Sequence, residues 1–281
     1  MSGFVQQHHT VDAFVSSDSW VILSETEISI KRKIEKIGTP LRDWDIQIYR
    51  GVLTGFNNAF IITSEKRNEI LCNCLSDDEK ARTAELIRPI LRGRDIKRYG
   101  YDWADLWLIN THNGIRGVKP RINIDDYPAV KHHLDTYWDQ LKKRSDKGDT
   151  PYNLRNCAYL DDFSKPKIIY NDIAQQLTFA LCQNGEFLNN TAYFFTSDKE
   201  HVLEFLLKAL NTKVLDWYYR TLSVQLGEKA VRMFSIYVLK LPIPYGNLRA
   251  LDSLDDDSMI NRCLCCMYGM TEEEIKFIEN Q

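Results

Sequence analysis

A short cationic stretch is the part of this sequence best suited to hold a polyanion. Four basic side chains fall between Leu91 and Tyr99, namely Arg92, Arg94, Lys97 and Arg98. Lysine and arginine neutralise phosphates, and the arginine fork also matches the O6 and N7 atoms of guanine. The cluster therefore favours contact with a nucleic acid over binding of a small metabolite. The alternative is a solvated strand edge whose cations pair with nearby carboxylates.

Two downstream loops combine cations with amide and imidazole side chains. The first spans 111–123 and offers His112, Asn113, Arg116, Lys119 and Arg121. The second spans 144–157 and offers Arg144, Asn153 and Arg155. Asparagine and arginine can each make paired hydrogen bonds to the edge of a base. We therefore predict that these loops read bases, with an ordinary surface loop and local turn capping as the alternatives.

The motifs of common cofactor-binding and catalytic sites are missing. The sequence contains no GxGxxG turn, no P-loop lysine and no Asn/Asp-Pro-Pro-aromatic loop of the kind that holds an amine for methyl transfer. Glu274-Ile-Lys276 has the local spacing of a metal-dependent nuclease, but it lies in a strongly acidic segment, where chance spacing is the better explanation. We predict no catalytic residue in this chain.

The cysteines and histidines do not form a metal-binding pattern. Cys72-Asn-Cys74 and Cys263-Leu-Cys265-Cys266 lack the paired spacing of a structural zinc site. His132 and His133 are adjacent, so they cannot act as ligands one helical turn apart. We predict no metal site. Seven cysteines without a secretory signal indicate reduced thiols and a cytoplasmic protein.

Composition describes a soluble globular protein. Hydrophobic residues make up 44% of the 281 residues and charged residues 27%. No apolar run approaches the roughly 20 residues that cross a bilayer, so no membrane contact is predicted. From Leu251 onward the sequence has eight acidic and two basic residues, which give a net charge of −6. Since the whole chain has a net charge of −3, residues 1–250 carry +3. Charge clustering, rather than total charge, must therefore decide whether the chain binds a polyanion.

The elements that must position these loops can be predicted from caps and periodicity. Ser24-Glu-Thr-Glu27 has capping-box spacing and begins a helix that Gly38 ends. Residues 45–49 and 59–63 read as paired strands around a loop rich in glycine and asparagine. Ser76-Asp-Asp-Glu79 has the same capping-box spacing and begins a second helix that runs to about Ile87.

The second half of the chain adds strands and then helices. We predict strands at 106–110, 167–170, 177–182 and 192–196, with a hairpin turn at 183–186, and helices from about 125 and over 201–222. The fold class is α+β, a mostly antiparallel sheet framed by helices and followed by a C-terminal helical tail. The predicted domains are a lead-in at 1–22, a recognition domain at 23–245 and the tail at 246–281.

Several ordered segments resemble a known family. They are Tyr49-Arg-Gly-Val-Leu-Thr-Gly-Phe-Asn-Asn-Ala-Phe-Ile-Ile62, Ile87-Arg-Pro-Ile-Leu-Arg-Gly-Arg-Asp-Ile-Lys-Arg-Tyr99, Tyr127-Pro-Ala-Val130, Lys165-Pro-Lys-Ile-Ile-Tyr170, Leu210-Asn-Thr-Lys-Val214 and Leu241-Pro-Ile-Pro244. Together they resemble the TaqI-like C-terminal specificity domain of adenine-specific DNA methyltransferases in type II restriction–modification systems, especially the fused type IIG enzymes. The resemblance spans about Trp20 to Glu279.

The resemblance implies a domain that recognises double-stranded DNA without chemistry of its own. A methyltransferase domain or subunit upstream would bind S-adenosylmethionine and methylate adenine N6, and a fused nuclease would require Mg²⁺. The positions assigned to the phosphate-binding framework are Arg50, Thr54, Asn57, Arg92, Arg94, Lys97, Arg98 and Tyr99. The two downstream loops remain the candidates for base reading.

Two other functions remain open from the sequence. The chain could be a metal-dependent nuclease that uses the carboxylates of its tail. It could instead be a protein-interaction module, in which the acidic tail and the predicted helix near 198–222 dock a partner and DNA binding is incidental.

Overall fold

The computed structural model describes residues 23–223, the backbone of 225–226, and residues 230–281; the predicted lead-in at 1–22 lies outside them. The helices are α1 Glu25–Ile37, α2 Asn57–Phe60, α3 Ser64–Cys72, α4 Asp77–Leu86, α5 Pro128–Asp135, α6 Trp138–Lys143, α7 Val202–Leu210, α8 Lys213–Leu222, α9 Ser235–Val238, α10 Asp257–Met267 and α11 Glu272–Glu279. The strands are β1 Thr39–Pro40, β2 Ile48–Arg50, β3 Ile61–Thr63, β4 Ile87–Leu91, β5 Leu106–Ile109, β6 Lys167–Asn171, β7 Ile173–Ala174, β8 Phe179–Cys182, β9 Phe187–Leu188, β10 Ala192–Phe195, β11 Gln225–Leu226, β12 Ala230–Arg232 and β13 Pro242–Ile243. Helices and strands mix along the chain, and the α+β class is confirmed. None of the helices in the described ranges is both long and apolar enough to span a bilayer.

The chain folds as two compact units made of interleaved segments. The terminal unit comprises the described part of Met1–Ile48 together with Asp172–Phe179 and Ser197–Gln281. The central unit comprises Tyr49–Asn171 and Ala180–Thr196. All the residues singled out as candidates for nucleic-acid contact belong to the central unit. The predicted domain bounds at 22 and 245 stay a prediction.

One sheet of the central unit has the strand order β3-β5-β4-β9. Its β3–β5 and β4–β5 pairs are antiparallel, with Ile61 and Arg88 on either side of Leu108. β4 runs parallel to β9, where Ile90 pairs with Phe187. Leu108, Ile90 and Phe187 are buried in one continuous apolar core. The predicted strand at 106–110 is confirmed by β5.

A second sheet has the order β2-β10-β6-β8. β6 pairs antiparallel with β10, so that Tyr193 faces Tyr170 and Phe194 faces Ile169. All four side chains are buried, as the unbroken apolar pattern of these strands requires. The predicted strands near 167–170 and 192–196 are therefore confirmed.

Two predicted strand pairings are wrong. Residues 45–49 and 59–63 do not pair, because β2 lies in one sheet and β3 in the other. Between them Asn57–Phe60 forms the short helix α2, which buries Ala59 and Phe60 completely. Residues 183–186 do not form a hairpin either. Gly185 has the positive φ of +77° that a tight turn uses, but the following strand β9 pairs with β4 instead of β8.

The predicted helix at 201–222 is divided at Asn211 into α7 and α8. Its side-chain amide donates to the carbonyl oxygens of Leu207 at 2.9 Å and Phe179 at 3.0 Å, and its Oδ1 accepts from the Phe179 amide at 3.0 Å. A polar side chain that bonds to the preceding turn competes with the helical ladder. The helix therefore ends where Asn211 binds the extended segment at Phe179.

The capping box of α1 confirms the predicted start of that helix. The Ser24 side chain accepts from the Glu27 amide, and the Glu27 carboxylate accepts from the Ser24 amide. In the same unit, Glu274 of α11 accepts hydrogen bonds from Ser29 at 2.7 Å and Lys33 at 2.6 Å. Burial opposes ionisation of Glu274, but these hydrogen bonds outweigh it and lower its pKa. The Glu274 carboxylate therefore joins α11 to α1.

Candidate nucleic-acid interface

The cationic stretch begins with a closed arginine–aspartate pair. Residues Gly93–Asp95 form a 3₁₀ turn after β4. Arg92 donates through Nε and Nη2 to the Asp95 carboxylate, with contacts of 3.0 and 2.7 Å, and Asp95 also accepts from the Arg92 amide at 2.8 Å. This hydrogen bonding raises the pKa of Arg92. Arg92 therefore braces the turn, and only 23% of its side chain is exposed.

Gly93 fixes where this turn sits. Its amide donates to Oγ1 of Thr191 at 2.8 Å, and a Cβ on Gly93 would lie 2.5 Å from the Thr191 carbonyl oxygen. Only glycine permits this approach. Arg50 reaches the same segment, because its Nε donates to the Asn190 carbonyl at 2.8 Å. Residues 189–191 thus join Arg50 to the cationic stretch, a role that no local motif in the sequence indicates.

The rest of the cationic stretch points outward. Arg94 and Lys97 are exposed, and Lys97 Nζ donates to the Arg94 carbonyl at 3.3 Å. Arg98 and Tyr99 are half-buried, with the Arg98 guanidinium 5.1 Å from the centre of the Tyr99 ring. Arg94, Lys97 and Arg50 are therefore the predicted phosphate-contacting cations that are exposed.

Thr54 and Asn57 support the loop that precedes α2. Thr54 is buried, and its hydroxyl donates to the Asn57 side-chain oxygen at 2.6 Å. The Thr54 carbonyl accepts from Arg144. Of the two, Asn57 alone is exposed.

Arg144 is an interior residue of the second loop. Its guanidinium donates to four backbone carbonyls, which belong to Thr54, Asp146, Pro151 and Asn153. The group lies 4.6 Å from the centre of the Phe60 ring, and burial lowers the pKa of Arg144 to about 10. All but 7% of the residue is buried. Arg144 therefore holds the loop together and is not available to a base.

Asn153 and His112 join the two loops from inside. The Asn153 amide donates to the Ile122 carbonyl at 2.9 Å and to the Thr111 and His112 carbonyls at 3.5 Å. His112 Nδ1 accepts from the Gly114 amide at 3.1 Å, and burial lowers the pKa of His112. Both side chains were candidates for base reading, but they are nine-tenths or more buried. His112 and Asn153 support the two loops from inside and are not exposed at their surface.

A narrow hairpin projects from this buried junction. Ile115 and Lys119 form an antiparallel bridge with hydrogen bonds of 2.8 and 2.9 Å, and Ile122 donates to His112 at 3.0 Å. Gly114 has a φ of +73°, and a Cβ there would meet the Lys119 carbonyl at 2.4 Å. We call residues 112–122 the recognition hairpin. Five of its side chains are exposed, namely Arg116, Val118, Lys119, Pro120 and Arg121.

Most cations around the recognition hairpin already face a carboxylate. Lys119 lies 3.3 Å from Asp161, and Arg121 lies 3.1 Å from Asp149. In the second loop Arg155 lies 3.5 Å from Asp146. Exposed pairs of this kind are worth about 0–1 kcal/mol, so a phosphate or base can replace the carboxylate at little cost.

The recognition hairpin borders an open groove of about 830 Å³. Its other wall consists of Asp149 and residues 156–158. Asn113 links the walls, because its Oδ1 accepts from the Asp149 amide at 2.9 Å and its amide donates to the carboxylate at 3.1 Å. The groove thus presents guanidinium, amide and carboxylate groups together, which are the donors and acceptors that match base edges.

Cysteine, histidine and acidic side chains are the groups that could bind a metal ion. Among residues 23–223 and 230–281, no three histidine, cysteine or acidic side chains are grouped so that they could hold a metal ion. The cysteines in these ranges are free thiols. Burial raises the pKa of Cys182 to about 11 and that of Cys265 to about 12, so both are protonated at neutral pH.

The sequence and the fold are similar to those of known proteins. The chain is 21% identical to the type II methyltransferase M.BstVI of Geobacillus stearothermophilus over 237 residues, which cover 82% of this chain and 39% of that protein. It is also 21% identical to the type II methyltransferase M.PaeR7I of Pseudomonas aeruginosa, over 92% of this chain and 44% of the relative. The chain therefore spans less than half the length of both relatives.

A solved structure has the same fold. The type IIL restriction–modification enzyme MmeI, determined in complex with DNA, superposes with a TM-score of 0.56 at 11% identity, over 84% of this chain and 36% of MmeI. The model of the TaqI-like C-terminal specificity domain matches residues 88–243, which include β4, the cationic stretch, both loops and β13. The matched region is more than half of the sequence, and the chain belongs to the family of TaqI-like C-terminal specificity domains.

Proposed function

We propose that this chain recognises a specific sequence in double-stranded DNA for a type II, and specifically type IIG, restriction–modification adenine-N6 methyltransferase. One observation carries the proposal. Arg144 holds the second loop together and Asn153 joins it to the first loop. The two joined loops expose a groove lined by Asn113 and by the outer face of the recognition hairpin. A rigid frame with outward base-matching groups is the arrangement that sequence reading requires.

Two surfaces divide the contact with DNA. Arg50, Arg94, Lys97, Arg98 and Tyr99 contact the phosphate backbone and set the position of the domain on the duplex. Asn113, Arg116, Lys119, Arg121 and Arg155 enter the major groove and contact bases. Five candidates support these surfaces without touching DNA. Thr54, His112, Arg144 and Asn153 are buried, and Arg92 is partly exposed but paired with Asp95.

The remaining chemistry belongs to another domain or subunit. That part binds S-adenosylmethionine, flips the target adenine out of the duplex and transfers the methyl group to N6. Where a nuclease is fused to it, Mg²⁺ serves that nuclease. This chain supplies no catalytic side chain, and the enzyme works in the cytoplasm.

Selection from a random pool of duplexes tests the proposal. The 281-residue chain is incubated with the pool at about 150 mM salt, where nonspecific binding is weak, and the bound duplexes are sequenced. We expect a single enriched motif. Binding without sequence preference would contradict the proposal and would favour the interaction-module function.

A cleavage assay separates the nuclease alternative. The chain is incubated with the selected duplex and either Mg²⁺ or Mn²⁺, and the products are resolved on a denaturing gel. We expect intact DNA. Metal-dependent cutting that disappears in a Glu274→Gln variant would show that the tail carboxylates do chemistry and would overturn the assignment.

A further inference from the structure

Arg116 differs from the other exposed cations of the reading surface. Lys119, Arg121 and Arg155 each lie within 3.5 Å of a carboxylate. The Arg116 guanidinium has no ion-pair or hydrogen-bond partner within residues 23–223 and 230–281. Its fork of donors is therefore free before DNA arrives.

The backbone beneath Arg116 is fixed. Ile115 and Lys119 close the tip of the recognition hairpin with two mutual hydrogen bonds, and the Val118 amide adds a third to Ile115 at 3.0 Å. Gly117 has a φ of +76°, and the space where its Cβ would stand has no atom within 4 Å. The tip is thus narrow, held at its base and open at its end.

The residues beside Arg116 suit the floor of the major groove. Val118 lies two residues after Arg116 at the tip, and it is 76% exposed. An exposed apolar group in the major groove can contact a thymine methyl, and a free guanidinium can donate to guanine O6 and N7 together.

We propose that Arg116 is a specificity-determining residue that recognises one guanine of the target sequence. The proposal rests on the DNA-reading function above and adds the residue and the base. Arg121 must first leave Asp149, and Lys119 must leave Asp161, before either can contact a base. Arg116 exchanges only water for the base. Its binding therefore depends on which base pair stands opposite the tip.

Selection with matched variants tests this assignment. The random-pool experiment is run with the wild type, Arg116→Gln, Arg116→Lys and, as the control, Arg94→Gln, which removes a cation assigned to phosphate contact. We expect Arg116→Gln to lose the preference for guanine at one motif position and to bind the wild-type motif about tenfold to a hundredfold more weakly. Arg116→Lys keeps the charge, so it should retain nonspecific affinity while its guanine preference weakens. Arg94→Gln should weaken binding to all sequences and leave every motif position unchanged.

The outcomes distinguish this proposal from the function on which it rests. A wild-type selection without a motif would overturn the proposed function itself. A wild-type motif that Arg116→Gln leaves unaltered, or alters at a position without guanine, would overturn the role of Arg116 and leave DNA recognition standing. Thermal melting of each variant checks the fold, and we expect no shift because Arg116 is exposed and unpartnered among the described residues.

Discussion

The interior junction and the recognition hairpin use the same residue types for opposite purposes. Arg144 and Asn153 lie inside and bond to backbone carbonyls, whereas Arg116 and Asn113 stand at the groove. A buried donor must have a partner in the protein, because leaving it or its carbonyl unsatisfied costs about 1–3 kcal/mol. An exposed donor can exchange its hydrogen bonds to water for hydrogen bonds to DNA at little cost. Burial, and not residue type, therefore separates the residues that hold the loops from those at the surface of the groove.

The largest expected effect is the loss of the Arg144 clamp. Arg144→Met should lower the free energy of unfolding by about 2–4 kcal/mol, because four backbone carbonyls lose their donor in a buried setting. Urea denaturation measures this. The matched control Arg116→Met should change stability by less than about 0.5 kcal/mol. Equal losses in the two variants would break the distinction between interior and surface.

A phosphate contact should have a smaller effect that acts on every sequence. Arg94→Ala should weaken binding to cognate and unrelated duplexes by a similar factor and flatten the slope of log K against log salt by about one unit. Titrations at several salt concentrations measure both quantities. Lys80→Ala, on the exposed face of α4, is the control and should leave the slope unchanged. A loss confined to the cognate duplex would place Arg94 among the base readers.

Removing a carboxylate from the groove should strengthen binding. Asp149→Asn frees Arg121 and removes a negative charge that faces the duplex, so affinity for all duplexes should rise several-fold at low salt and less at high salt. Fluorescence anisotropy with cognate and scrambled duplexes measures the change. Asp139→Asn, in an exposed ion pair with Lys142 on α6, is the control. Weaker binding by Asp149→Asn would mean that the carboxylate itself contacts a base.

The smallest expected effect concerns pH. Burial lowers the pKa of His112 and of His133 below the usual 6.5, so the unfolded chain takes up protons that the folded chain does not. Stability should therefore fall as pH drops through about 6.5, the range in which the unfolded histidines become charged. Urea denaturation at pH 7 and pH 5 should show a smaller loss for His112→Asn than for the wild type. The exposed His132→Asn control should retain the wild-type loss.

Local signals in the sequence predicted local structure well. The capping box at Ser24 forms as its spacing indicates, because both partners lie within one turn. The Ser76 cap also forms, but its predicted partner Glu79 accepts instead from the amides of Leu75 at 2.7 Å and Ala129 at 2.9 Å. Ala129 lies 50 residues away, so no local pattern could assign that bond.

Strand partners were predicted less well than strands. The runs near 59–63 and 167–170 were placed correctly or nearly so, since alternating and continuous apolar patterns depend on neighbours in the sequence. The partner of each strand depends on how distant segments of the chain pack together in the folded protein. Thus β3 pairs with β5 rather than with the run before it, and β9 pairs with β4.

The sequence by itself determined the class of fold and the family. It also identified the two polar loops, 111–123 and 144–157, which differ in composition from the apolar strands. It also showed where along the chain the cations cluster. Tertiary structure alone decided which of these residues are buried and which are exposed. Arg144 and Asn153 became interior clamps because distant carbonyls converge on them, and Arg116 stayed free because no carboxylate among the described residues reaches it. Desolvation and partner geometry are properties of the folded chain, and they separate the frame from the reading surface.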